Sequence, residues 1–346
     1  MKVLFIGGTG IISTAVCKVA VKRGIDLYVL NRGKRNDKLP KGVTILQGDI
    51  YNPEEIRKTL EGHYFDSIVQ WISFTVEHCE RDFNLFNGFT KQFLFISSAS
   101  AYLKPLPFLP ITEEISLGNK YWEYSENKKK CEEYLLSVHS DDFNVTIIRP
   151  SHTYNEEMLV SQLMSNSKPY TTINRMLNNK PIIIPDDGMN LWTITFNKDF
   201  AEGFADVIGN KKAYGNFYHL TGDKVYTWER LNEIICEAVG VKPNIVYVPS
   251  KEIIKHFPEI KPELYGDKKD STMFDNSKIK AIAPNWKSKT DYSEIAPIVV
   301  KWLLDNKELQ EIDHEFEERY DALVEEYKLK KHWVDLEQAR GELKGT

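Results

Sequence analysis

A short apolar run, Val3-Leu4-Phe5-Ile6, passes directly into Gly7-Gly8-Thr9-Gly10 and then into a helix-compatible stretch from Ile11 to Arg23. Few features restrict a chain more. An apolar run without alternation predicts a strand covered on both faces, as in a parallel sheet flanked by helices. Gly24 stands just past the helix end, where glycine is favoured. The rhythm then repeats. Strands are expected at Asp26–Leu30, Val43–Leu46, Ser67–Trp71, Gln92–Ile96 and Val145–Ile148, with helices at Pro53–Leu60, Val76–Phe86 and Asn119–Val138 between them. Strands separated by helices of this length imply right-handed crossovers and a doubly wound α/β sheet.

At about 150 residues per domain, 346 residues suggest two domains. The expected division is a dinucleotide-binding unit over residues 1–150 plus about 191–220, and a smaller substrate lobe over 151–190 plus 221–310. A helical tail spans 311–346, with Phe316, Tyr320, Leu323, Val324 and Tyr327 on one face, a stripe expected to pack on the parent domain. The net charge of −5 disfavours nucleic acid as a partner. Four cysteines, Cys17, Cys79, Cys131 and Cys236, form no CxxC pair and fit free thiols in a reducing compartment. No signal-peptide pattern and no apolar run of membrane-spanning length are present, so a cytoplasmic location is expected.

The glycine loop sits between strand and helix, where backbone N–H groups and the positive helix end favour a pyrophosphate. Gly7, Gly8, Thr9, Gly10, Ile11 and Ile12 are therefore assigned to a dinucleotide cofactor. Ser13 occupies the place of the third glycine of the usual pattern and is small enough to keep the helix close to the sheet. After the second strand comes Asn31-Arg32-Gly33-Lys34-Arg35, where an acid would mark NAD. A guanidinium there can grip a 2′-phosphate, so NADP is expected, with NAD as the alternative, through Arg32 aided by Lys34 or Arg35 and beside Asn31. After the third strand, Asp49-Ile50 is placed to meet the adenine.

Tyr124 and Lys128 stand four residues apart on a predicted helix and share a face. A phenol is a poor base at neutral pH, and a neighbouring ammonium favours its charged form. Tyr121 has no lysine four residues on and is the weaker candidate. The fifth strand runs into Ser97-Ser98-Ala99-Ser100-Ala101-Tyr102, at the end of the sheet where ligands bind. Turn formation is the ordinary role for Ser97 and Ser100.

With these motifs in this order the chain resembles the NAD-dependent epimerase/dehydratase family, the extended and atypical short-chain dehydrogenases/reductases. The resemblance is carried by Gly7-Gly8-Thr9-Gly10, Gly48-Asp49, Ser97 to Tyr102, Tyr124 with Lys128, and Arg149-Pro150-Ser151-His152-Thr153-Tyr154, and runs over residues 1–250. It implies a Rossmann-type fold with a C-terminal substrate lobe, and Ser98, Tyr124 and Lys128 as the catalytic trio. Lys128 would also hold the nicotinamide ribose, with Pro150 and His152 beside the nicotinamide. Reversible oxidation of a secondary hydroxyl, on a nucleotide sugar, is the implied reaction. Ala99-Ser100 replaces the Asp-Glu pair of sugar-nucleotide 4,6-dehydratases, which disfavours dehydration. Two alternatives stay open: an NADPH-dependent reductase of a small carbonyl, and an inactive RNA-binding relative. The expected partner is a small molecule, without membrane association; a homodimer is compatible with this reading. No metal is expected, because the HExxH-like string at His314-Glu315 has Glu318 where the second histidine would stand.

Overall fold

The structure is a computed structural model that describes residues 1–342, with side chains through residue 329. Contacts divide the chain into two units, residues 1–155, 193–225 and 272–290, and residues 156–192, 226–271 and 291–346. The segment 272–290 thus belongs with the first unit, against the expected grouping of 221–310, and the C-terminal helix belongs with the second unit rather than standing apart.

The first unit is built on a seven-stranded parallel sheet. Its strands include β1 (Lys2–Ile6), β2 (Asp26–Asn31), β3 (Thr44–Gln47), β4 (Phe65–Gln70), β5 (Thr90–Ile96) and β6 (Asn144–Pro150). The order runs Asn216–Leu220, β6, β5, β4, β1, β2, β3. β1 pairs with both β2 and β4, so the chain reverses its winding there and opens a crevice at the strand ends. Apolar side chains alternate between two cores. Val3, Phe5, Val29, Val69 and Leu94 face one side with Phe200 and Phe204, while Leu4, Ile6, Ile68, Phe93 and Phe95 face the other with Leu135. Both faces being covered explains the continuous apolar runs.

Four helices follow strands in sequence: α1 (Ile11–Lys22), α2 (Pro53–Thr59), α3 (Val76–Phe86) and α4 (Glu123–Ser137). The expected helix from Asn119 begins only at Glu123. The Asn119 side chain is engaged elsewhere, donating to the Ser100 carbonyl at 2.7 Å and accepting from the Tyr121 N–H at 3.3 Å, which holds 119–122 as a loop.

In the second unit, strands Ile182–Pro185 and Ile245–Val248 pair in parallel. The C-terminal helix, His314–Glu342, buries Phe316, Tyr320, Leu323 and Val324 against Leu163, Val248 and Phe257. Buried Arg175 donates to Glu317 and Asp321 of that helix at 2.9 and 2.8 Å. The apolar stripe is core of its own unit. All four cysteines are buried and free.

Candidate active site

The parallel register brings the C-terminal ends of the strands to one edge. Ile6 is opposite both Leu30 and Gln70, Gln70 is opposite Phe95, and Ile96 is opposite Ile148. Gly7, Trp71 and Ser97 therefore leave the sheet along a single edge, and Ser151 follows them where β6 ends at Pro150. Gly7 and Gly8 have φ of +96° and +117°, a region costly for other residues. A Cβ on Gly8 would also approach the Val29 side chain to 3.1 Å. Gly10 caps α1 with an ordinary φ of −86°. Ser13, the residue in place of a third glycine, accepts the Gly10 N–H at 2.8 Å. That N–H is spent, which leaves those of Ile11, Ile12 and Ser13 at a helix start whose first turn holds no acid.

Beyond β2, Asn31 builds the basic turn rather than projecting from it. Its Oδ1 accepts from Gly33 N–H at 2.6 Å and its Nδ2 donates to Asn36 at 2.8 Å. Arg32, Lys34 and Arg35 are exposed, and Arg32 has no acidic partner among the described residues. Gly48 N–H donates to the Asn31 carbonyl, which joins the ends of β2 and β3. Asp49 accepts from Tyr51 N–H at 3.1 Å in a turn. Ile50 is 5% exposed and packs in the core, so its side chain is not free to meet an adenine. Pro150 is buried at the end of β6, and His152 pairs through its strand with Ile194.

Neighbouring residues connect the two elements that carry the candidate trio. Ser98 Oγ lies 2.9 Å from Ser100 Oγ, which lies 2.7 Å from Ser125 Oγ, the residue after Tyr124. Lys128 Nζ donates to the Ile96 carbonyl at 2.7 Å and to the Ser73 carbonyl at 2.8 Å. The end of β5 is thereby bonded to the N-terminal half of α4 at two points. Lys128 is 2% exposed, and burial lowers its pKa to about 8. Its ammonium lies 4.7 Å from the Phe74 and Phe95 ring centres and 5.8 Å from that of Tyr124. Two of its three N–H groups are used on carbonyls.

Several supporting residues carried no sequence signal. The carboxylate of Asp82, on α3, is buried and accepts from Gln70 at 2.7 Å, Ser73 at 2.5 Å and Arg81 at 2.6 Å. This fixes the segment whose Ser73 carbonyl receives Lys128. Arg149, on β6, pairs with Glu132, on α4, through both carboxylate oxygens, at 2.6–3.1 Å. Ser125 and Asn119 tie the serine turn to α4. Only the i, i+4 spacing of Lys128 and Glu132 could have pointed to a second polar residue on that helix face.

A nicotinamide dinucleotide fits this edge on three counts. The glycine loop gives close backbone approach, the helix start supplies N–H groups, and Ser97 Oγ and Trp71 Nε1 are buried without a hydrogen-bond partner among the described residues. Those residues hold no cluster of three or more metal-ligating side chains, and no helix among them is long and apolar enough to cross a membrane.

The family model described as NAD dependent epimerase/dehydratase family matches residues 3–84 and 76–219, more than half of the chain. The chain is 28% identical over 265 residues to the chloroplast stem-loop binding protein of 41 kDa b of Arabidopsis thaliana, covering 72% of this chain and 67% of that one. It is 21% identical to the 2'-dehydrokanamycin reductase of Streptomyces kanamyceticus over 88% of this chain and 85% of that one. In fold it is similar to UDP-glucuronic acid 4-epimerase from Bacillus cereus, solved with UDP-glucuronic acid and NAD. The TM-score is 0.68 at 15% identity, covering 88% of this chain and 99% of that one.

Proposed function

The chain belongs to the NAD dependent epimerase/dehydratase family and is an enzyme of that type, and from this premise we propose that it oxidises a secondary hydroxyl of a nucleotide sugar reversibly, with NADP(H) preferred. The observation that carries the reading is the double tie between the Ser98 turn and the helix of Tyr124 and Lys128. Tyr124 takes the hydroxyl proton and later returns it. Ser98 donates a hydrogen bond to the same oxygen, its hydroxyl oriented by Ser100 and Ser125. Lys128 favours the phenolate, and its remaining N–H group holds the ribose. The bound nicotinamide supplies hydride acceptance and return. An epimerase would return the hydride to the opposite face of the keto sugar; a reductase would release oxidised cofactor each turn.

The cofactor roles extend this reading to the glycine loop and the ends of β2, β3 and β6. Gly10→Glu tests the pyrophosphate site. A Cβ there meets only Ser13 Oγ, at 3.3 Å, so the variant should fold. Its carboxylate should weaken NADP(H) binding by at least roughly 100-fold, because charge repulsion and bulk act together. Circular dichroism checks the fold, and calorimetry the affinity. Arg32→Ala should weaken NADP(H) by about 1.5–3 kcal/mol while leaving NAD(H) nearly unchanged. Equal affinity of the parent for both cofactors would refute the preference.

Mass spectrometry of ligands released from the denatured protein tests the whole reading. A nicotinamide dinucleotide with a sugar nucleotide supports it. A second reading, binding of structured RNA, is favoured by the stem-loop binding relative. It predicts RNA retention that falls steeply with salt.

A further inference from the structure

Five cations are buried among the described residues: Lys104, Lys128, Arg149, Arg175 and Lys268. Four have partners. Lys128 donates to two carbonyls, Arg149 pairs with Glu132, Arg175 with Glu317 and Asp321, and Lys268 with Glu263. Lys104 is the exception. Its side chain belongs to a residue only 3% exposed, and among the described residues its Nζ has no hydrogen-bond partner, no carboxylate within ion-pair distance and no aromatic ring beneath it. An ammonium removed from water without an acceptor is costly, and chains rarely keep one without a use for it.

The backbone of Lys104 lies between the elements that carry the reaction. Leu103 N–H donates to the Ser116 carbonyl at 2.8 Å, Lys104 N–H to Gly118 at 3.2 Å, and Gly118 N–H to Ala101 at 2.9 Å. Residues 101–104 therefore run against 116–118. One arm of this ladder begins at the Ser98–Ser100 turn, and the other leads through Asn119 into Tyr124. Asn119 joins the two by its bond to the Ser100 carbonyl.

We propose that Lys104 anchors an anionic group of the substrate, a carboxylate or phosphate oxygen, and so makes the enzyme selective for an acidic nucleotide sugar or for the diphosphate that carries the sugar. This rests on the proposed function above. A ligand oxygen supplies the acceptor that the chain lacks, at the cost of some stability in the free protein.

The test compares the parent with Lys104→Met, which keeps length and apolar bulk, and with Lys104→Arg, which keeps charge. Calorimetry measures binding of inorganic phosphate, UDP, UDP-glucose and UDP-glucuronic acid to the full chain, with and without NADP. Lys104→Met should weaken at least one of these anions roughly 10- to 100-fold, as expected for a lost charge-assisted bond. Lys104→Arg should retain more of the affinity. NADP affinity should stay within about twofold, and the melting temperature of Lys104→Met should rise by a few degrees as the unpaired charge is removed. A loss for UDP-glucuronic acid alone places the anion on the sugar. Equal losses for UDP and both sugars place it on the diphosphate. Affinities that do not differ between parent and Lys104→Met for any anion, including no binding to either, overturn the assignment, as does a loss confined to NADP. If phosphate alone binds through Lys104, the anchor stands and the nucleotide-sugar reading falls. If UDP-sugars bind both proteins equally, the nucleotide-sugar reading stands and the anchor falls.

Discussion

Tyr124→Phe, which removes one oxygen atom, should lower kcat by roughly 10²- to 10⁴-fold and leave NADP(H) affinity unchanged. The range is that of a lost general acid/base. The ring remains to pack against Trp122, whose centroid is 5.1 Å away, and circular dichroism checks that the fold is kept. Lys128 adds a pH signature. Burial lowers its pKa to about 8, so the ammonium is present below that pH and lost as pH rises through it. Its support for the phenolate fades in the same window, and the rate should fall above about pH 8. Lys128→Arg stays charged and should abolish that decline, even at a lower overall rate. Single-turnover hydride transfer across pH 6–10 provides the measurement. Full activity in Tyr124→Phe would sink the proposed mechanism and leave the dinucleotide site standing.

Glu132→Ala should destabilise the protein by about 3–5 kcal/mol, the largest stability effect expected of any single substitution near the site. The side chains of Arg149 and Glu132 are 4% and 1% exposed. Removing the carboxylate strands a guanidinium that is almost wholly shielded from water. Arg149 also stacks on Tyr102 and Phe217, with its guanidinium carbon 4.9 and 4.6 Å from their ring centres, so it cannot swing out cheaply. The cost should appear as a fall in melting temperature on the order of 10 °C. The double variant Glu132→Leu with Arg149→Met, which removes both charges, should recover most of it. If Glu132→Ala melted with the parent, the pair would be structurally idle. Because this pair joins β6 to α4, partial activity in the folded fraction should also drop through misplacement of Tyr124 and Lys128.

Most of the fold was legible because its signals are local. Val3–Ile6 and its counterparts are apolar without alternation because helices cover both faces of the sheet, a fact each strand carries within its own few residues. The glycine loop was legible for the same reason, since φ above zero at Gly7 and Gly8 restricts residue type at once. The tail stripe at Phe316 and Tyr320 declared a buried face, although only the folded chain showed that its core is that of the second unit. Tertiary contact decided the rest. Asn119 delays α4 to Glu123 by reaching the carbonyl of Ser100, 19 residues earlier. Lys128 draws on carbonyls 32 and 55 residues away, and Arg149 on a glutamate 17 residues away. Lys104 looks like any surface lysine in the sequence and becomes unusual only when buried without an acceptor. Periodicity and turn chemistry depend on a residue and its neighbours, whereas the state of a polar group depends on what the finished fold places against it and how much water it leaves there.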